Sequence, residues 1–271
     1  MNRCKFNQRK KDKAIPLCLL YLSISLMFFL GFFLYYVRSA CAKEELIVSS
    51  ASSLTNVIKD IGRAFETENK DTKVIFNFAG SGALYIQIAN GAPVDVFASA
   101  DQLTMDQAEK EKLIVPVTRK NFARNTLVLV TPIDLKIPVL NLQGLSQPQV
   151  KRIAIGKTDT VPVGRYSKEV LVNNKLWDKL APKLIMANSV RQVLDYVTRG
   201  EVDAGFIYKT DAAVSKESVK IVEYLDGHTP VVYPIAVVAA SKKQDRAEKF
   251  LDFVLSLKGQ EILSKYGFLK T

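Results

Sequence analysis

Residues 73-KVIFNFAGSGALYIQIANGAPVDVFASADQ-102 decide the fold. A β-branched and aromatic run gives way, at Gly80-Ser81-Gly82, to an apolar helix that Gly91 stops. The strand 94-VDVFAS-99 follows and leads to Asp101, a helix-capping residue, and a charged helix. The same unit lies upstream in 45-ELIVSSASSLTNVIKDIGRAF-65. There Leu46 to Val48 reads as a strand, and Leu54, Val57, Ile58, Ile61 and Phe65 share one helical face. Downstream, 151-KRIAIG-156 is a strand, a loop runs to Val163-Gly164, and 165-RYSKEVLVNN-174 is a helix. A strand at 183-KLIMA-187 precedes 188-NSVRQVLDYVTRG-200, a helix with an Asn/Ser cap and Gly200 just past its end. The strand 203-DAGFIY-208 and helices around 245–257 and 259–266 complete the chain. Strands alternating with helices predict an α/β protein with mixed, mostly parallel sheets.

Two extended apolar segments break this rhythm, 126-TLVLVTP-132 and 230-PVVYPIAVVAA-240. Neither is followed at once by a helix, and both are read as crossovers between two lobes. Lobe 1 is then 43–125 with 231–271, and lobe 2 is 126–230. Two lobes joined twice form a cleft with a hinge at its floor.

Residues 1–42 stand apart. No charged residue occurs from Ala14 to Val37, and six basic residues against Asp12 precede that run. With Ala40-Cys41-Ala42 after it, the pattern is a secretory leader cut before Lys43. The apolar run is also long enough to span a bilayer, so a retained leader would act as an anchor. In both cases the body of the chain is extracytoplasmic. Arg38 stands where a lipoprotein signal has an aliphatic residue. Seven of the 38 basic residues and one of the 27 acids fall in the leader, so the net charge of +11 drops to +5 in the body. The nucleic-acid reading of the basic sequence loses its support. All three cysteines, Cys4, Cys18 and Cys41, are also in the leader, so the body has no disulfide, Cys-metal site or Cys nucleophile. Ordinary composition and a mean hydropathy of +0.06 fit a folded chain.

In open α/β sheets, ligands sit beyond the carboxyl ends of strands, where helices begin. Four helix starts here bear small or hydroxyl residues: Ser52-Ser53, Gly80-Ser81-Gly82, Val161-Pro162-Val163-Gly164 and Asn188-Ser189-Val190. Each offers unpaired N–H groups and about half a positive charge, so four converging starts would balance a dianion with about +2. Ser hydroxyls and the Tyr208 phenol add donors. No carboxylate or imidazole is among them. Phosphate near neutral pH keeps a proton that needs an acceptor, so donors alone favour sulfate, molybdate or tungstate.

The stretches 51-ASSLTNVIKDI-61, 78-FAGSGALYIQIANGAPVDVFASADQ-102, 161-VPVGRYSKEVL-171, 229-TPVVYPIAVV-238 and 264-SKYGF-268 resemble, in collinear order, the molybdate-binding proteins of ABC transporters. The resemblance implies the periplasmic-binding-protein type II architecture: two lobes joined by two crossover strands. It also implies a monomeric, non-enzymatic receptor that takes molybdate or tungstate and delivers it to a membrane permease, with no cofactor and no cation site. By motif, the oxyanion would be held by the hydroxyls of Ser53, Ser81 and Tyr208 and the main-chain N–H groups of Val163 and Val190. The chain departs from the family pattern at Gly80 and Gly82, where Ser is frequent, and at Val163, where Ala is common. The sequence 156-GKTDT-160 also replaces a Gly-Asp-Pro opening. A sulfate receptor on the same scaffold and a membrane-anchored oxyanion-sensing ectodomain are the alternatives.

Plainer roles compete for several of these residues. Ser53 and Ser81 could be helix caps, and Tyr208 a packed aromatic. Asp101 reads as a cap and Asp95 as a loop anchor rather than as a catalytic carboxylate pair. The stretch 156-GKT-158 is no phosphate-binding loop, because Lys151 stands where that motif requires Gly. A serine hydrolase would have to use His228, the only histidine, and lacks a G-x-S-x-G elbow.

Overall fold

The computed structural model describes residues 43–271, so the leader expected over 1–42 lies outside the described residues. Among them, ten strands form two five-stranded sheets. In the first sheet, β1 (Glu44–Ala51) runs parallel to β2 (Thr72–Ala79) on one side and to β3 (Val96–Ala98) on the other. The remaining strands, β4 (Lys120–Arg124) and β10 (Val232–Val237), give the order β2-β1-β3-β10-β4. The second sheet contains β5 (Leu127–Pro132), β6 (Ile153–Gly156), β7 (Leu184–Ala187), β8 (Ala204–Tyr208) and β9 (Val219–Tyr224), in the order β7-β6-β8-β5-β9.

Helices cover both sheets. In chain order they are α1 (Thr55–Glu68), α2 (Ser81–Ala89), α3 (Gln102–Lys110), α4 (Pro162–Asn173), α5 (Trp177–Leu180), α6 (Val190–Thr198), α7 (Lys209–Val214), α8 (Gln244–Leu255) and α9 (Leu257–Lys265). The architecture is thus α/β with mixed sheets. Every antiparallel pairing involves β5 or β10, the two segments that break the strand-helix rhythm. Each is a full member of one sheet, and the chain passes between sheets just before it, at residues 125–126 and 225–231.

Side-chain periodicity explains the packing. α1 buries Val57, Ile58, Ile61 and Phe65, a stripe at helical spacing, and Phe65 meets Phe250 and Phe253 of α8 edge-on at 5.3 and 5.6 Å. α6 buries Val190, Val193, Leu194 and Val197, and Gly200 takes the left-handed conformation (φ +65°) that ends it. A second cluster, with Leu84, Phe97, Met105 and Ala236, fills the space between the first sheet and α2–α3. Both faces of that sheet are therefore covered.

Two local features depart from the sequence reading. α4 begins at Pro162 rather than at residue 165, because the first helical position needs no N–H and the fixed φ of proline suits it. Val163 and Gly164 thereby enter the first turn. The strands β4 and β9, which the sequence reading leaves out, are edges paired on one side only, so their exposed polar residues mask the apolar pattern.

Candidate functional site

The carboxyl ends of β1, β2, β6, β7 and β8 point to one region between the sheets. A small cavity lies there, and Ser53, Ser81, Val163, Val190 and Tyr208 all line it. The structure thus brings together all five residues singled out from the sequence. Its other walls are small or apolar side chains, and no charged residue lines it.

Local folding explains what each residue presents. β1 ends at Ala51 and passes through a 3-10 turn, Ser52–Leu54, into α1. The Ser53 hydroxyl does not cap that helix; it accepts from Tyr233 Oη at 3.1 Å. Ser81 is the first residue of α2, behind Gly80, and its Oγ accepts from the Ala100 N–H at 3.0 Å. α4 starts behind Val161, which has no side-chain cap either. Helix-capping is therefore excluded for Ser53 and Ser81, and first-turn N–H groups remain without side-chain partners beside the cavity. Ser189, by contrast, does cap α6, accepting from the Gln192 N–H at 3.2 Å.

Tyr208 ends β8 with its side chain 1% exposed, and its hydroxyl has no hydrogen-bond partner among the described residues. A buried hydroxyl without a partner costs about 1–3 kcal/mol, so such a group at the wall of a cavity is a donor left for a ligand. The ring packs edge-on against Tyr233 (6.0 Å) and Tyr166 (6.5 Å). Burial, reinforced by the neighbouring tyrosines, holds its hydroxyl well above the usual phenol range, so it stays protonated.

Contacts between the two sheets' elements surround the cavity. Arg165 of α4 reaches Asp101 Oδ2 with Nε at 2.8 Å and an Nη at 2.5 Å, and also donates to Thr104 Oγ1. Asp101 does cap α3, accepting from the Thr104 N–H, but its second oxygen takes this bidentate pair. The Gly82 N–H donates to Thr160 O at 2.9 Å. A Cβ on Gly82 would stand 2.6 Å from that oxygen, and one on Gly80 2.8 Å from Asn188 O. Close backbone approach thus accounts for glycine at both positions where the family pattern favours serine.

Behind the cavity, Arg191 Nε lies 2.8 Å from Asp211 Oδ1, a contact of charges without the alignment of a directed hydrogen bond. Burial pushes the Asp211 carboxyl up to about 7, against the pull of Arg191. Asp95 anchors strand ends, accepting from the Ile47 N–H at 2.8 Å and the Ser241 hydroxyl at 2.6 Å. The His228 ring nitrogens face the backbone oxygens of Thr229 and Leu225. No cluster of three metal-ligating side chains occurs among the described residues.

Sequence reasoning missed Arg165, Asn125, Tyr233 and the Arg191–Asp211 pair. Arg165 and Tyr233 do fall inside the quoted motifs, but their partners lie 64 and 180 positions away.

Comparison with known proteins adds to this geometry. Residues 46–269 match the family described as bacterial extracellular solute-binding protein. The molybdate-binding protein ModA of Escherichia coli (strain K12) is 38% identical over 242 residues, covering 85% of this chain and 91% of that protein. ModA of Haemophilus influenzae is 31% identical over 234 residues, covering 85% and 92%. Among solved structures, the periplasmic molybdate-binding protein of Azotobacter vinelandii superposes with a TM-score of 0.73 at 26% identity, covering 83% of this chain and 99% of that one.

Proposed function

The chain belongs to the bacterial extracellular solute-binding proteins, and from that membership we propose that it captures molybdate, and tungstate with it, for a membrane ABC importer. The observation that carries the reading is the convergence of Ser53, Ser81, Val163, Val190 and Tyr208 on one uncharged cavity. Three hydroxyls and the main-chain N–H groups of Val163 and Val190 would surround the ion. Its charge is met by the helix starts, which together supply about +2 of dipole charge. The cavity is far smaller than the pockets of about 300 to 1,000 Å³ that take drug-sized molecules, so only a small ligand such as an ion suits it. The similarity to molybdate-binding proteins supports the choice of ion.

In this reading the lobes close on the ion by bending at the two crossings, and the permease receives it when they part. The protein works as a monomer outside the cytoplasmic membrane, exported by its leader. It carries out no chemistry and needs no cofactor or cation.

Titration calorimetry on ligand-stripped protein tests the proposal. One-to-one binding of molybdate and tungstate is expected, with sulfate and phosphate weaker by about a hundredfold or more, or about 2.7 kcal/mol. Equal binding of sulfate would remove the selectivity and keep the receptor. No binding of any of the four ions would refute it.

A further inference from the structure

The direction of the hydrogen bonds behind Ser53 can be followed atom by atom. The Thr126 N–H can only donate, so the Asn125 atom 2.9 Å from it is the amide oxygen. The other end of the Asn125 side chain is therefore the NH2 group, which has hydrogens and no lone pair to offer. It lies 3.2 Å from Tyr233 Oη and 2.8 Å from Thr210 Oγ1, and donates to both. Having accepted from Asn125, Tyr233 spends its single hydrogen on Ser53 Oγ, 3.1 Å away. Ser53 then has one hydrogen left, and its hydroxyl donates to nothing among the described residues. Asn125, Thr210, Tyr233 and Ser53 are all buried, so water does not compete for these bonds.

We infer that Asn125 and Tyr233 are positioning residues that hold the Ser53 hydroxyl as a donor toward the cavity, and so set the discrimination against oxyanions that keep a proton. The inference rests on the oxyanion-receptor reading and deepens it. Ser81 reaches the same state by a separate route, because its Oγ accepts from the Ala100 N–H and its hydrogen is also left for the cavity. A P–OH group entering this cavity would find no carboxylate or imidazole to take its hydrogen and, at Ser53 and Ser81, hydroxyls with a hydrogen of their own to place, whereas a fully deprotonated ion satisfies every donor. Asn125 lies between β4 and β5, where the chain passes from one sheet to the other, and its N–H donates to Val231 O at the second crossing. The relay therefore starts where the two crossings between the sheets meet.

Asn125→Asp is the direct test. A carboxylate at that position accepts from Tyr233 and Thr210, which turns the relay around: Tyr233 then accepts from Ser53, and Ser53 offers the cavity a lone pair. Affinities for molybdate and inorganic phosphate are measured by calorimetry at about pH 8, where both ions are chiefly dianions and only phosphate keeps a proton. The added charge acts alike on both dianions and cancels in their ratio. Tyr233→Phe is the second variant; it releases the Ser53 hydroxyl to rotate and brings no charge. Ser81→Ala is the control, expected to weaken both ions and leave their ratio unchanged.

The molybdate-to-phosphate ratio is expected to fall by about tenfold or more in Asn125→Asp and Tyr233→Phe, the reach of one hydrogen bond. If both folded variants lose affinity for the two ions equally, the inference is overturned and the receptor reading stands. If the unmodified protein binds neither ion, the receptor reading itself fails and takes the inference with it.

Discussion

The phenol of Tyr208 donates to no described residue, so removing its oxygen breaks no bond inside the protein. Tyr208→Phe should therefore leave the melting temperature of the ligand-free protein unchanged or slightly raised. Molybdate affinity should fall by about 10- to 150-fold, the loss of one hydrogen bond of about 1.5–3 kcal/mol to a charged acceptor. Calorimetry and a thermal melt on the same sample check both halves, and a normal affinity would remove Tyr208 from the site. Ser81→Ala should behave differently, because the Ala100 N–H loses its acceptor as well: affinity and ligand-free stability should fall together. Gly82→Ala puts a methyl group 2.6 Å from Thr160 O and should weaken binding through the approach of the two backbones, with the ligand-free fold intact. Small-angle scattering with molybdate present should then show a less compact particle than the unmodified protein gives. At this scale the sequence was informative about place: the residues it singles out do gather at one cavity. Ser53, Ser81 and Tyr208 stand at ends of elements whose type is visible locally. Asn125 and Tyr233 were not legible, because their importance lies in partners 85 to 180 positions away.

Between elements, a buried ion pair joins the first turn of α4 to the cap of α3. Arg165 and Asp101 are both largely buried there, and a bidentate pair of this kind is lost only with strong destabilisation of the joined state. Arg165→Ala is expected to speed molybdate release, measured by stopped-flow, by about tenfold or more, with little change in the association rate. An unchanged release rate would show that the pair does not hold the lobes together. The Arg191–Asp211 pair ties α6 to α7 behind the cavity and gives a pH signature. Because burial raises the Asp211 carboxyl to about 7, the folded state holds its proton more tightly than the unfolded chain does. Its contribution to stability is full below about pH 4 and is lost as the pH rises through about 7. The stability of the unmodified protein relative to Asp211→Asn should thus decline between those values, as denaturant unfolding at several pH values would show. A difference that grew with pH would mean the carboxyl is ionised throughout. Element boundaries followed the apolar periodicity closely for α1 and α6. They slipped at α4, where Pro162 moved the start of the helix back, and β9 escaped because an edge strand such as 219-VKIVEY-224 alternates too weakly to separate from a loop.

For the molecule as a whole, the two segments that break the strand-helix rhythm were legible as exceptions, and they make every antiparallel pairing between strands; the order of the strands within each sheet left no such trace. How closely the two sheets approach was not legible, since it depends on backbone contacts such as Gly82 to Thr160 that leave no periodic trace. A ligand held between lobes should stabilise the whole unit: at a hundred times the dissociation constant, mass action adds about 2.7 kcal/mol. A thermal melt with and without molybdate should show that shift, and a melt that molybdate leaves unmoved would count against capture between the sheets. The tyrosine row beside the cavity has a practical consequence. Tyr166, Tyr208 and Tyr233 pack ring to ring, and the middle one carries the hydroxyl that would donate to the ion's oxygen. A phenol that exchanges a bare surrounding for a dianion changes its ultraviolet absorption, so with Tyr208 on the ion the molecule would carry an optical gauge of its own occupancy. Uptake and release could then be timed in unlabelled protein, with Tyr208→Phe as the blank.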